Sequence, residues 1–215
     1  MGAIARNIAN NITTSGVFTS SAITNSSVTG ITVLANATDG ITLISSQTAS
    51  NSASISFTSG LTSTYKAYKF VFSSIHPRTD AVYFQFNLST DSGSNYNVTK
   101  TTTLFRAYHG EDGSGGILSY DASQDLAQST AFQNLAESLG NGADENASGS
   151  LLLFNPSSTT YVKHFISRIS ENHFENLAMD YYMAGYGNTT SAINAIQFKM
   201  GSGNFDGTIY MYGIK

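Results

Sequence analysis

The chain has 215 residues, with 10 Lys and Arg against 14 Asp and Glu, and it contains no Cys. Charged residues make up 11%, against ~25% in an average domain, so charge-driven disorder is excluded and a basic nucleic-acid-binding face is not expected. Without Cys there is no disulfide, thiol nucleophile or thiolate metal site. The opening Met1-Gly2-Ala3-Ile4-Ala5-Arg6 has no apolar stretch after it, and apolar runs such as Leu151-Leu152-Leu153-Phe154 fall far short of the ~18 residues that span a bilayer. Neither a secretory signal nor membrane insertion is expected.

In chain order, the first 60 residues hold 22 Ser or Thr, only two charges (Arg6 and Asp39) and only two aromatics (Phe18 and Phe57). Such a segment lacks the bulky side chains that hold a core together. It does carry spaced aliphatics. Ile4, Ile8 and Ile12 would line one face of a helix, and Val17 follows next to Phe18. A near-repeat comes next: Thr29-Gly30-Ile31-Thr32-Val33-Leu34 and Asp39-Gly40-Ile41-Thr42-Leu43-Ile44, each a Gly turn followed by β-branched strand material. Two readings stand for this segment: a flexible Ser/Thr linker, or an arm over residues 1–50 that orders against another surface. The arm reading makes Ile4, Ile8, Ile12, Val17, Phe18, Ile31, Val33, Ile41 and Leu43 its anchoring residues.

Residues 51–215 hold all 12 Tyr and read as all-β. Ala53 to Phe57 alternates; Tyr68, Phe70 and Phe72 share one face; Val82, Phe84, Phe86 and Leu88 share another. Further strands are expected near 97–107, 149–154, 161–169, 179–186, 193–200 and 207–213, separated by turn material at 76–80, 91–95, 110–116, 155–157 and 201–203. Eight to ten short strands predict an antiparallel sandwich. The stretch 121–147, with Leu126, Phe132, Leu135 and Leu139, is expected to hold a short helix or a long excursion.

No catalytic set is legible. There is no Gly-x-Ser-x-Gly elbow, and Glu111, Asp112, Asp144 and Glu145 sit in Gly/Asn-rich loops where turn roles are the default. The loops 91–95 and 109–112 offer oxygen and His ligands, but neither has an EF-hand or zinc pattern. His76 precedes Pro77 in a turn, His164 lies in a strand, and His173 is expected in a loop. The expectation is no enzyme, no metal and no cofactor. Tyr181, Tyr182, Tyr186, Tyr210 and Tyr212 crowd the C-terminal third. They suit sugar stacking or a protein interface, and equally the capping of a sandwich core.

The strings Tyr65-Lys66-Ala67-Tyr68-Lys69-Phe70-Val71-Phe72, Ile75-His76-Pro77 and Tyr83-Phe84-Gln85-Phe86-Asn87-Leu88-Ser89-Thr90-Asp91, with the ending Asn204-Phe205-Asp206-Gly207-Thr208-Ile209-Tyr210-Met211-Tyr212-Gly213, resemble structural proteins of marine tailed bacteriophages. The resemblance spans most of residues 50–215. It implies a C-terminal jelly-roll β-sandwich behind an extended N-terminal arm, and a place on the virion surface as a capsid decoration protein. A tail- or head-fibre protein whose jelly roll binds host-surface carbohydrate is the alternative it implies. The implied partners are the major capsid protein or tail proteins, and further copies of the chain, a trimer among the arrangements.

Overall fold

Residues 40–215 are described by the computed structural model, and every regular element in them is a β-strand. The twelve strands are β1 (Ile41–Ser52), β2 (Ser54–Phe57), β3 (Ala67–Pro77), β4 (Val82–Ser89), β5 (Lys100–Gly110), β6 (Gly116–Tyr120), β7 (Gln133–Leu139), β8 (Ala147–Phe154), β9 (Lys163–His173), β10 (Leu177–Gly187), β11 (Ala195–Met200) and β12 (Phe205–Ile214). All pairings are antiparallel. The alternation expected from Tyr68, Phe70 and Phe72, and from Val82, Phe84 and Phe86, is observed, with these side chains buried and their neighbours at the surface or half-buried, except Asn87, which is buried and hydrogen-bonded to Lys100.

The strands run in order β1-β12-β3-β8-β9-β7-β4-β11-β2, and β10, β5 and β6 continue outward from β9. The sheet nearly closes into a barrel. One joint is narrow: β7 meets β9 through the single pair Leu139↔His173. At the other end the Gln47 amide reaches from β1 to the Ser56 carbonyl of β2 at 2.8 Å. A large layer of eight strands (β1-β12-β3-β8-β9-β10-β5-β6) therefore faces a small layer of four (β2-β11-β4-β7), which is β-sandwich-like packing.

Aromatic rings bind the two layers. Phe198 of β11 lies 5.1 Å from Phe72, 5.4 Å from Phe70, 6.1 Å from Phe84 and 6.4 Å from Phe57, between ring centroids. Phe86 meets Phe165 edge-on at 5.2 Å. Such pairs add to the ordinary gain from burying large apolar area. Gly207 breaks the register of β12 at φ +128°, where a Cβ would lie 2.7 Å from the Ser74 carbonyl, so only Gly fits this bulge.

Three expectations need correction. The boundary placed at residue 50 falls inside β1, which pairs with β12 from Ile41↔Ile214 to Ser52↔Phe205, so residues 41–50 belong to the sheet. The stretch 121–147 holds no helix. Residues 121–132 run as a loop tied to β5, with Lys100 and Ser129 exchanging both backbone hydrogen bonds and the Thr102 amide donating to Leu126; the remainder supplies β7 and a turn. The turn expected over 110–116 ends in a further short strand, β6, paired with β5.

Candidate functional site: the outer face of the large sheet

Strand geometry sends successive side chains to opposite faces, so what does not enter the core is displayed. On the large layer the displayed set is unusually apolar. Three rows run across the strands from the ladder registers. The first joins Ile41, Ile214, Ala67, His164, Tyr186 and Thr101, with Phe154 of β8 beside His164. The second joins Leu43, Tyr212, Lys69, Leu152, Ile166, Ala184 and Thr103. The third joins Ser46, Tyr210, Val71, Ser150, Arg168, Tyr182, Phe105 and Tyr120.

Ile166 stands at the centre of this face and is 51% exposed, although it lies on an interior strand. Ile41, Leu43, Phe105, Leu118 and Tyr120 are exposed around it. Beside Ile166, small residues make a groove of about 380 Å³. Thr101, Thr103, Ala184 and Gly185 form its floor, and Phe154, His164 and Tyr186 wall one end. Gly185 faces inward, where a Cβ would lie 2.5 Å from the Thr101 carbonyl and 2.7 Å from the buried Thr102 side chain, so only Gly lets β10 lie this close to β5. Tyr182 and Phe105 stack at 4.7 Å with their planes 8° apart and line a smaller adjoining hollow of about 80 Å³ that shares Thr103, Ile166 and Ala184 with the groove. The Arg168 guanidinium lies 4.8 Å over the Tyr182 ring and is forked onto Asp180 at 2.6–3.1 Å. These partners hold the ring flat, and the bond to Asp180 keeps the guanidinium pKa raised.

Of the tyrosines singled out from sequence, Tyr182, Tyr186, Tyr210 and Tyr212 come together on this face, half-buried. Tyr181 does not: it points inward and is fully buried. Its phenol pKa is pushed up, chiefly by burial and then by the nearby Glu171 and Asp121. Of the anchoring residues, Ile41 and Leu43 lie at the rim of the same face on β1, whereas Ile4, Ile8, Ile12, Val17, Phe18, Ile31 and Val33 lie outside the described residues. Sequence reading missed Ile166, Leu152 and Phe105. The available signal was Leu151-Leu152-Leu153-Phe154, since an unbroken apolar strand must put apolar groups on both faces.

The interior holds a second polar cluster that no motif announced. Arg106 of β5 contacts Glu137 of β7, and its Nη1 lies 3.4 Å from Asp121. Both carboxyl oxygens of Glu171 on β9 lie 3.1 Å from the Glu137 amide, which donates to them across the narrow β7–β9 joint. Burial pushes the Glu171 pKa well above the usual carboxylate range, against the pull of Arg106. Lys100 is also buried, donating to Asn87 Oδ1 and to the Val98 carbonyl, and burial draws its pKa down to about 7. The grooves of the outer face are lined by none of these groups.

The remaining candidates serve local structure. Asp91 accepts from Ser89 Oγ at 2.6 Å and from the Asn95 amide and side chain at 2.9 and 2.7 Å, which holds its pKa near 2. Its oxygens are therefore engaged in the turn. Asp112 accepts from the Ser114 amide in the β5–β6 turn. His173 is not in a loop: it ends β9, buried, and its Nδ1 accepts from the Glu175 amide at 3.2 Å. His76 lies within β3 and meets the Glu145 carbonyl at 2.7 Å. Among the described residues no group of three or more His, Asp or Glu is arranged to hold a metal, and no helix is long and apolar enough to cross a membrane.

Fold and surface together define an all-β protein with one broad apolar face. No family model, no curated protein and no solved structure matches the chain.

Proposed function

We propose that the chain is a non-enzymatic structural protein of a tailed-bacteriophage particle, a capsid decoration protein. In this reading the body is a jelly-roll-type sandwich, and the segment ahead of β1 anchors it to the particle. The observation that supports the reading is the outer face centred on Ile166: aliphatic and aromatic groups spread over eight strands, far broader than a small substrate needs. Faces of this kind mark contacts between macromolecules. Attachment through apolar contact is also insensitive to salt, because little of it rests on screened ion pairs. Repetition on a symmetric lattice then multiplies a modest contact into a firm one.

A fibre protein that binds host-surface carbohydrate is the second reading. The groove beside Tyr186, floored by Thr101 and Thr103, favours it, because a ring beside hydroxyls matches the two sides of a sugar.

Counting copies in purified particles by quantitative mass spectrometry separates the two. Decoration requires on the order of hundreds of copies, as lattice symmetry dictates. A fibre gives roughly a dozen or two, and the isolated protein then blocks host adsorption. Absence from purified particles would defeat both.

A further inference from the structure

We infer that the outer face of the large sheet seats a second copy of this chain, related to the first by a two-fold axis running along the strands between β8 and β9. The inference deepens the assembly reading by naming a partner, and it is tested in solution without any particle.

Breadth is the first argument. Eight strands about 4.8 Å apart span about 34 Å, and three rows with their side chains cover about 20 Å, giving a footprint of roughly 700 Å² per copy. A stable protein–protein contact covers about 800 Å² per partner, so the face has the size of a whole interface.

The second argument is that the face is complementary to itself. The axis lays β8 on β9, β3 on β10, and β12 on β5. In the first row Ala67 then meets Tyr186, and Ile214 meets Thr101. In the second row Lys69 meets Ala184, Tyr212 meets Thr103, and Leu152 meets Ile166. In the third, Val71 meets Tyr182, Ser150 meets Arg168, and Tyr210 meets Phe105. Large groups fall opposite small ones, or aromatic opposite aromatic, away from the axis, while Leu152 and Ile166 make an aliphatic contact at the axis itself. An axis across the strands through the second row would lay every strand on itself and set Lys69 against Lys69.

Charge is the third argument. The charged groups in these rows are Lys69 and Arg168, and Arg168 is neutralised by Asp180. The axis sets Lys69 against Ala184 and Arg168 against Ser150; the two Arg168 side chains lie diagonally across the axis, each paired with its own Asp180.

Sedimentation of the full chain is expected to give a dimer, and I166E is expected to raise its dissociation constant at least tenfold while leaving circular dichroism unchanged. Because the chain has no Cys, single substitutions report contacts cleanly. Chains carrying V71C mixed with chains carrying Y182C should be joined by a short bis-maleimide into mixed pairs, whereas either chain alone should not. A monomer at every concentration, a trimer or larger ring, or cross-linking no greater between unlike chains than between like ones would overturn the pairing. None of those outcomes alters the particle count that tests the assembly reading.

Discussion

Glu171 shows how one side chain can govern a joint between layers. It replaces a ladder carbonyl at the place where β7 leaves β9, accepting the Glu137 amide from within the core. Its folded pKa is raised above the ordinary 4.5, so the folded state holds the proton more firmly than the unfolded chain does. That contribution to stability is complete below the ordinary carboxylate pKa and is lost as pH rises toward the folded value. Gln keeps a carbonyl for the amide and cannot ionise. E171Q should therefore match the parent near pH 4 and exceed it at pH 8, read by urea unfolding at both pH values. A variant that is weaker at pH 8 would show that ionised Glu171 is favourable there. None of this was legible in the sequence. Arg106, Asp121, Glu137 and Glu171 come from four separate segments, and only the folded topology brings them together.

At the level of elements, legibility followed the clarity of the period. Strands with a dry face and a wet face, such as β3 and β4, were plain. β7 was not: its inward positions include Gln133, it bends at Ser138 with φ +47°, and the spacing of Leu135 and Leu139 fits a helix turn and two strand repeats equally well. β1 was read as strand material but assigned to the arm, because nothing local says that Ile41–Ser52 pairs with a strand more than 150 residues later. The strand most exposed to mutation is β11. Phe198 touches rings from β2, β3 and β4 at once, so F198A would leave a cavity that no single strand can fill by moving. A loss of about 3–5 kcal/mol is expected in chemical denaturation, and a loss under 1 kcal/mol would mean that the layers repack around the gap.

For the molecule as a whole, the crowding of tyrosines was legible in the sequence, but not whether they would cap the core or share one face. Four of five chosen tyrosines share one face only because β12 and β10 lie in the same layer, an arrangement set by pairing order rather than by local pattern. The division at the N-terminal side has its own consequence. Within residues 40–215 the core from Ala49 to Met211 draws on both layers, with the rings of β2, β3, β4 and β11 in mutual contact. A chain trimmed to those residues should unfold cooperatively in calorimetry, with a midpoint within about 4 °C of the full chain. A larger drop would mean that the first 39 residues contribute to the core.

The pairing of β1 with β12 and of β2 with β11 sets a timetable for biosynthesis. Residues 41–57 are made well before their hydrogen-bonding neighbours at 195–214. Until then the rings of Phe57, Phe70 and Phe72 await Phe198, and the nascent chain shows water the very surface it will later hide. Closure of such distant pairs is slow, so maturation waits on the later strands and is sensitive to crowding by other half-made chains.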